Sequence, residues 1–224
     1  MAAPVLVMQM QRMGDLVLTF PLLLWLRRVF PDRPLWVLAE KTFFEPLMPI
    51  GPEVFYVPWE ATDKLRKRRF SLVANLSHEP KAAALAGELD AEERLGPARE
   101  ADGAVRIRGD WQLYRAALVH NNRYNRFHWA DLNALDLVPL ARMAATRFAA
   151  PRTLDRHARK VGLFLGASEA AKRPGPAFWA ELVRRLLGRD LRPVLFGGPA
   201  EAELGREVAR LARAPVLDLC GRLD

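Results

Sequence analysis

Apolar residues recur along the chain in two rhythms: compact runs rich in Val, Leu and aromatic side chains, and longer stretches in which apolar positions return every three or four residues. The first rhythm predicts buried strands and the second amphipathic helices. Residues 5–10 predict a first strand, which passes through Gln11-Arg12-Met13-Gly14-Asp15 into a long apolar helix with Arg27 and Arg28 in its last turn. The segment from Pro31 to Pro34 ends that helix, and residues 35–38 predict a second strand. Residues 54–57, 72–76 and 104–107 predict further strands, separated by helices over 63–69 and 80–89. Alternating strands and helices imply an α/β, doubly wound, mostly parallel sheet covered on both faces.

Residues 111–137 read as helical with many polar and aromatic positions, and 139–159 as an irregular, basic connection. The alternation then restarts, with strands over 161–165, 193–196 and 216–219 and helices over 176–188 and 200–212. Two domains follow, 1–150 and 151–224. The second shows three strands where a doubly wound domain has about five or six, so it is expected to be incomplete in this chain.

Composition narrows the function classes. Half of the 224 residues are hydrophobic, enough for two modest cores and against disorder. Lys and Arg outnumber Asp and Glu 34 to 26, a formal charge of +8 that favours phosphate, nucleic acid or anionic lipid as partner. Cys220 is the only cysteine, which excludes an intramolecular disulfide, a Cys-rich zinc site and a CxxC redox pair, and favours a reducing compartment. No basic residue precedes the first apolar run, and the longest apolar stretch, 11 residues over 16–26, falls short of the roughly 18 a bilayer span needs. A cytoplasmic protein is expected, with surface attachment open. His120, His128 and His157 lack metal-site spacing. Charge alone supports nucleic acid, since no helix-turn-helix or zinc finger is present.

Four constellations could carry chemistry. Asp15 sits on the turn after the first strand, where open parallel sheets bind ligands; a carboxylate there can act as general base, or it can cap the following helix, which is the commoner use. Gly166-Ala167-Ser168 with Lys172 after a buried strand offers a hydroxyl and a point charge suited to a diphosphate, or a solvated basic loop. Gly197 and Gly198 permit a tight turn ahead of Glu201, which can accept hydrogen bonds from ribose hydroxyls or cap the next helix. The run over 64–69, including Arg66 and Lys67 and followed by Lys81, reads as a solvated helix face or as a surface for phosphates. His78, just past a strand, can face the crevice or solvent. Only one glycine, Gly14, lies in the first turn, so GxGxxG dinucleotide binding is poorly supported.

In order and spacing this set resembles glycosyltransferase family 9, the heptosyltransferases of lipopolysaccharide core assembly. The features that carry the resemblance are the first strand running into Met13-Gly14-Asp15, Pro21 and Phe30-Pro31, residues 161–168, Lys172-Arg173, Phe178-Trp179-Ala180-Glu181-Leu182, and Phe196-Gly197-Gly198-Pro199 with Glu201. The resemblance implies a GT-B architecture of two Rossmann-like domains, acceptor on the first and nucleotide-sugar on the second, with inverting, metal-independent transfer and no cofactor beyond the substrate, ADP-heptose. By motif, Asp15 would be the base; Ser168, Lys172, Gly197, Gly198 and Glu201 would hold the donor. Gly14, Arg66, Lys67, His78 and Lys81 would meet an anionic glycolipid at the inner membrane face, with no nucleic acid partner. Pro174-Gly175 stands where relatives have an aromatic followed by Pro, and the Asp-Thr-Gly-x-x-His donor segment is expected beyond Asp224. A non-catalytic glycolipid-binding module, or an inactive fragment of such an enzyme, is the alternative reading.

Overall fold

The computed structural model describes residues 2–119, 121–145, 157–167 and 169–223. Two compact units divide the chain, Met1–Arg152 and Thr153–Asp224. In the first, the elements run β1 (Val5–Met8), α1 (Met13–Val17), α2 (Phe20–Val29), β2 (Leu35–Leu38), α3 (Lys41–Phe44), β3 (Phe55–Val57), α4 (Asp63–Arg66), β4 (Arg69–Asn75), α5 (Pro80–Glu88), β5 (Asp90–Arg99), β6 (Val105–Arg108), α6 (Asp110–Ala117), α7 (Trp129–Leu132) and α8 (Leu140–Ala145). The second unit contributes β7 (Lys160–Phe164), α9 (Pro176–Leu187), β8 (Arg192–Phe196), α10 (Ala202–Ala212) and β9 (Leu217–Asp218).

The first unit is built on a six-stranded sheet in the order β3-β2-β1-β4-β5-β6. Its first five strands are parallel, and β6 closes the edge antiparallel to β5. All four residues of β1 are buried because it lies inside the sheet with layers on both faces. Val5 and Val7 pack with Leu22, Leu23 and Leu26 of α2, whereas Leu6 and Met8 pack with Leu65, Leu85 and Ala86. The alternation follows from the two-residue period of a strand. Each fully buried Leu contributes about 1.5–3 kcal/mol relative to exposure.

Four expectations change on inspection of the backbone. The helix after Asp15 is two helices, because Pro21 in the first turn of α2 has no amide to continue the ladder, and buried Thr19 turns its hydroxyl to the Asp15 carbonyl at 2.9 Å. The basic run is not one helix face: α4 ends at Arg66, and Arg69 already belongs to β4, where Phe70 is fully buried. The stretch 111–137 breaks into α6 and α7 around a turn in which Asn125 bonds the Phe127 amide and carbonyl. The strand β5 had no counterpart in the apolar pattern, since it carries Glu92, Glu93, Arg94, Gly96 and Pro97 and buries only part of its length. Gly96, at φ +80°, lets the strand pass so close to the Asn75 carbonyl that no side chain would fit.

The second unit holds a parallel sheet β7-β8-β9. Leu163, Leu165 and Leu195 form its core with Ala180 and Val183 of α9 and Val208 and Ala212 of α10. The last strand is shorter than the apolar run 216–219 predicts, because Val216 is spent packing on that core and Leu219 bonds Leu195 outside the ladder.

Candidate active site

The carboxyl ends of β1, β2 and β4 open on a cavity of about 550 Å³ lined by Met10, Gln11, Arg12, Asp15, Glu40, Phe43 and Glu79. Asp15 occupies the third position of α1 and is half-buried. The residue that caps α1 is Arg12, without a side-chain bond, so capping is not what Asp15 does. Its carboxylate lines the cavity and accepts no hydrogen bond from a described residue, while its backbone is pinned by Asp15 N–H to Arg12 carbonyl at 3.0 Å. A carboxylate held this way is a ready acceptor for a ligand hydroxyl proton.

A buried polar network fixes the turns around it. The Met10 amide donates to Ser77 Oγ at 2.6 Å, the Ser77 amide to Asn75 Oδ1 at 2.9 Å, and Asn75 Nδ2 to the Pro97 carbonyl at 2.7 Å. Gln9 Nε2 reaches Thr19 Oγ1 at 3.4 Å. Leaving any one of these buried groups unpaired costs about 1–3 kcal/mol, so the network ties the ends of β1, β4 and β5 into one frame. Sequence reasoning missed Gln9, Asn75 and Ser77. Their signal was present: each is a polar residue interrupting an apolar strand at the same end of the sheet.

Arg115 is the other residue missed. It comes from α6, is 2% exposed, and makes no ion pair among the described residues. Its guanidinium donates to the Leu76 carbonyl and to Gln112 Oε1, at 3.1 Å for the latter, and lies 5.2 Å from the Trp129 ring centroid. Burial pushes its pKa down to about 10, against the opposing pull of the Asp15 charge. His78, two residues beyond Leu76, keeps part of its ring in solvent, yet burial of the rest and the Arg115 charge hold its pKa below 6.5, against the pull of Asp15. The three groups therefore share one electrostatic field, with His78 neutral near pH 7. The helix that carries Arg115 starts on Gly109, at φ +96°, where a Cβ would stand 2.7 Å from Asp136; that carboxylate takes the Trp111 and Gln112 amides at 3.1 and 3.0 Å.

The remaining acceptor-side candidates divide. Gly14 sits beside Asp15, and a Cβ there would meet nothing within 4 Å, so its surface is open to a ligand. Lys81 bridges Glu40 at 3.1 Å and Glu79 at 3.4 Å and stands 4.6 Å from the Trp59 ring centroid. Burial alone would lower its pKa, but bonding to Glu40 and Glu79 raises it overall. Arg66 and Lys67 are not brought to Asp15. Lys67 lines a separate cavity of about 520 Å³ with Ala2, Pro4, Pro34 and Trp36, at the amino ends of the strands. Seven residues of β4 separate the two edges, about 20 Å at strand rise.

In the second unit, the Gly198 amide donates to Glu201 Oε2 at 2.9 Å, and a Cβ on Gly166 would lie 3.0 Å from the Glu201 carboxylate. The loops after β7 and β8 thus meet around Glu201, bringing Gly166, Gly197, Gly198 and Glu201 together. One carboxylate oxygen is used in capping, as one sequence reading expected. Lys172 ends a short 3-10 turn and pairs with Glu169 at 2.6 Å on the surface. Ser168 lies outside the described residues.

Three comparisons place this architecture. The family model described as glycosyltransferase family 9 (heptosyltransferase) matches residues 59–224, a span that begins after the Asp15 turn. No curated protein matches the chain. Among solved structures, a family 9 glycosyl transferase from Veillonella parvula is similar over 99% of this chain and 70% of its own, with TM-score 0.69 and 17% identity. The E. coli heptosyltransferase WaaC with ADP is similar over 96% and 74%, with TM-score 0.63 and 18% identity, and E. coli ADP-heptose LPS heptosyltransferase II over 98% and 73%, with TM-score 0.62 and 18% identity. At such identities the likeness shows the fold, which is that of the GT-B glycosyltransferases. With the family model spanning most of its length, the chain belongs to glycosyltransferase family 9, the heptosyltransferase family.

Proposed function

We propose that this chain carries the machinery of an inverting sugar transfer from a nucleotide-diphosphate heptose to an envelope glycolipid of the lipopolysaccharide-core type, at the inner membrane face. The observation that carries the reading is the half-buried Asp15 carboxylate, lining a cavity at the carboxyl ends of the strands without a described hydrogen-bond donor of its own. The acceptor hydroxyl gives its proton to Asp15 as its oxygen bonds to the anomeric carbon. The bond from that carbon to the donor phosphate breaks on the opposite face, and the electron pair leaves with the nucleoside diphosphate. Lys172, turning from Glu169, meets the charge that grows on the leaving group, Ser168 is assigned by motif to the same phosphates, and Glu201 takes the ribose hydroxyls between the Gly166 and Gly197-Gly198 loops. No resident cofactor is invoked, since the nucleotide-sugar is itself the substrate.

Support for the donor class comes from WaaC, whose structures hold ADP and ADP-2-deoxy-2-fluoro heptose. None of the helices among the described residues is long and apolar enough to cross a membrane, and the membrane contact proposed here is a peripheral one. The test is Asp15→Asn in a transfer assay with ADP-heptose, which should lower turnover about two to four orders of magnitude with a thermal midpoint within a degree or two of the parent. Turnover near the parent level would remove Asp15 as the base.

A further inference from the structure

Between Trp111 and Trp129 the chain has 19 residues without a single Asp or Glu, while five are aromatic and three are arginine. The fold sorts this segment into two sides. Arg115 and Gln112 point inward and fasten α6 to the Leu76 and Leu132 carbonyls, so the helix stands at the carboxyl end of β4, near the crevice that Asp15 lines. On the outward side, Leu113 is 57% exposed, Val119 40% and Tyr124 74%. Trp111, Tyr114 and Phe127 contact one another edge to face at centroid distances of 5.9, 5.0 and 6.0 Å, a platform that keeps the exposed side chains in place.

Two cations of this segment lack the carboxylate partners that Arg66 and Arg69 have. Arg123 and Arg126 are exposed, and among the described residues neither forms an ion pair; Arg123 lies 5.5 Å from the Tyr124 ring centroid. By contrast Arg66 and Arg69, in the denser basic run, are matched to Asp63, Glu88 and Glu92. Exposed aliphatic and aromatic side chains beside unmatched arginines, with Asp110 at the start of α6 as the one exposed carboxylate flanking the 111–129 segment, have the composition of an interfacial surface: apolar groups enter the headgroup layer while guanidinium groups meet phosphate. A soluble anion would use the arginines but give Leu113 and Val119 nothing to bury them.

We propose that this face of α6 and the turn toward α7 docks on an anionic phospholipid bilayer, placing the Asp15 crevice at the headgroup level. The inference rests on the reading that the acceptor is a membrane glycolipid, and it names the surface that would bring the site to it. Leu113, Val119 and Tyr124 enter the interface, and Arg123 and Arg126 pair with lipid phosphates.

The experiment is sedimentation of the full chain with vesicles of phosphatidylglycerol and phosphatidylcholine, and with phosphatidylcholine alone, at about 0.1 M salt. The parent should bind the mixed vesicles and bind the neutral ones much more weakly. Two lost interfacial arginines should weaken binding about 30-fold, so Arg123→Gln with Arg126→Gln should show that loss, and Leu113→Ser with Tyr124→Ser should weaken binding further. Lys67→Gln with Arg68→Gln, at the far edge of the sheet, should leave it unchanged. Thermal midpoints for every variant confirm folding. Equal binding to neutral vesicles, no response to the arginine pair, or an equal loss from the far-edge pair would each overturn the proposal. Because no sugar donor or turnover enters this measurement, its failure leaves the Asp15 assignment standing. An active Asp15→Asn variant would equally leave the vesicle result in place.

Discussion

The two edges of the six-stranded sheet carry positive charge in opposite ways. At the amino ends, the residues over 64–69 crowd five cations into six positions, yet Arg66 pairs with Asp63 at 3.0 Å and Glu88 at 3.1 Å, Arg69 with Glu92 at 3.3 Å, and Arg68 lies over Trp36 at 4.7 Å. All three ion pairs are solvent-exposed, where each is worth about 0–1 kcal/mol and salt screens it further. At the carboxyl ends a single arginine, Arg115, is 2% exposed and held by a carbonyl and an amide oxygen, with Asp15 and His78 in its field. Density of charge along the chain and influence on the site are therefore different quantities. Burial and the choice of partner decide the second.

This contrast can be broken by substitution. The largest effect is expected from Arg115→Met, which leaves the Leu76 carbonyl without its donor and should cost about 1–3 kcal/mol of stability, read as a lowered denaturation midpoint. The same change removes one of the two influences that depress His78, so its titration, followed by NMR of the ring protons, should rise toward 6.5 without reaching it, because burial remains. Arg115→Lys keeps the charge and should restore most of the depression even if stability stays low. A His78 titration indifferent to both variants would show that the arginine is only packing. The smallest effect belongs to Arg66→Gln with Arg69→Gln, which should cost less than about 1 kcal/mol, shrink in high salt, and leave His78 unmoved. A loss well above that would erase the distinction between the edges.

The sheet was legible where burial on both faces forced a continuous apolar run, as in β1, β2, β4 and β8, and also in β7, whose run is apolar although Leu163 is its only buried residue and Phe164 is exposed. The strand β5 was not, because its neighbours bury only part of it and the rest tolerates Glu92, Glu93 and Arg94. Local rules also misread residues 64–69, grouping by adjacency what the fold divides between a helix end and a strand start. At the site, Asp15 could be found from its place on the turn after the first strand. Arg115 could not: an arginine in a polar, aromatic helix reads as surface, and only the packing of α6 on the end of β4 turns it inward. The partnership of Met10 with Ser77 was equally hidden, since nothing local marks a hydroxyl as the acceptor for an amide on another strand.

That partnership has a temporal meaning. Met10 and Ser77 are 67 positions apart, and the turn after α1 is further held by Asn133 Nδ2 on the Leu18 carbonyl at 3.2 Å, across 115 positions. Closures of that span lose chain entropy before any contact compensates, so they come late in folding. A nascent chain that has emerged only through β3 holds β1, β2 and the local bonds of the Asp15 turn, but not the Ser77 and Asn133 contacts that tie this region to the rest of the sheet. The crevice is therefore expected to be completed late, when β4 pairs with β1 and α7 packs against α2. In pulsed hydrogen exchange during refolding, the Met10 amide should gain protection together with that of Ser77 and later than those within α2; early protection of Met10 would mean that the turn is ordered by its own residues. A site timed in this way cannot bind ligand before its supporting sheet exists, so half-made chains would not compete with finished ones for a scarce nucleotide-sugar.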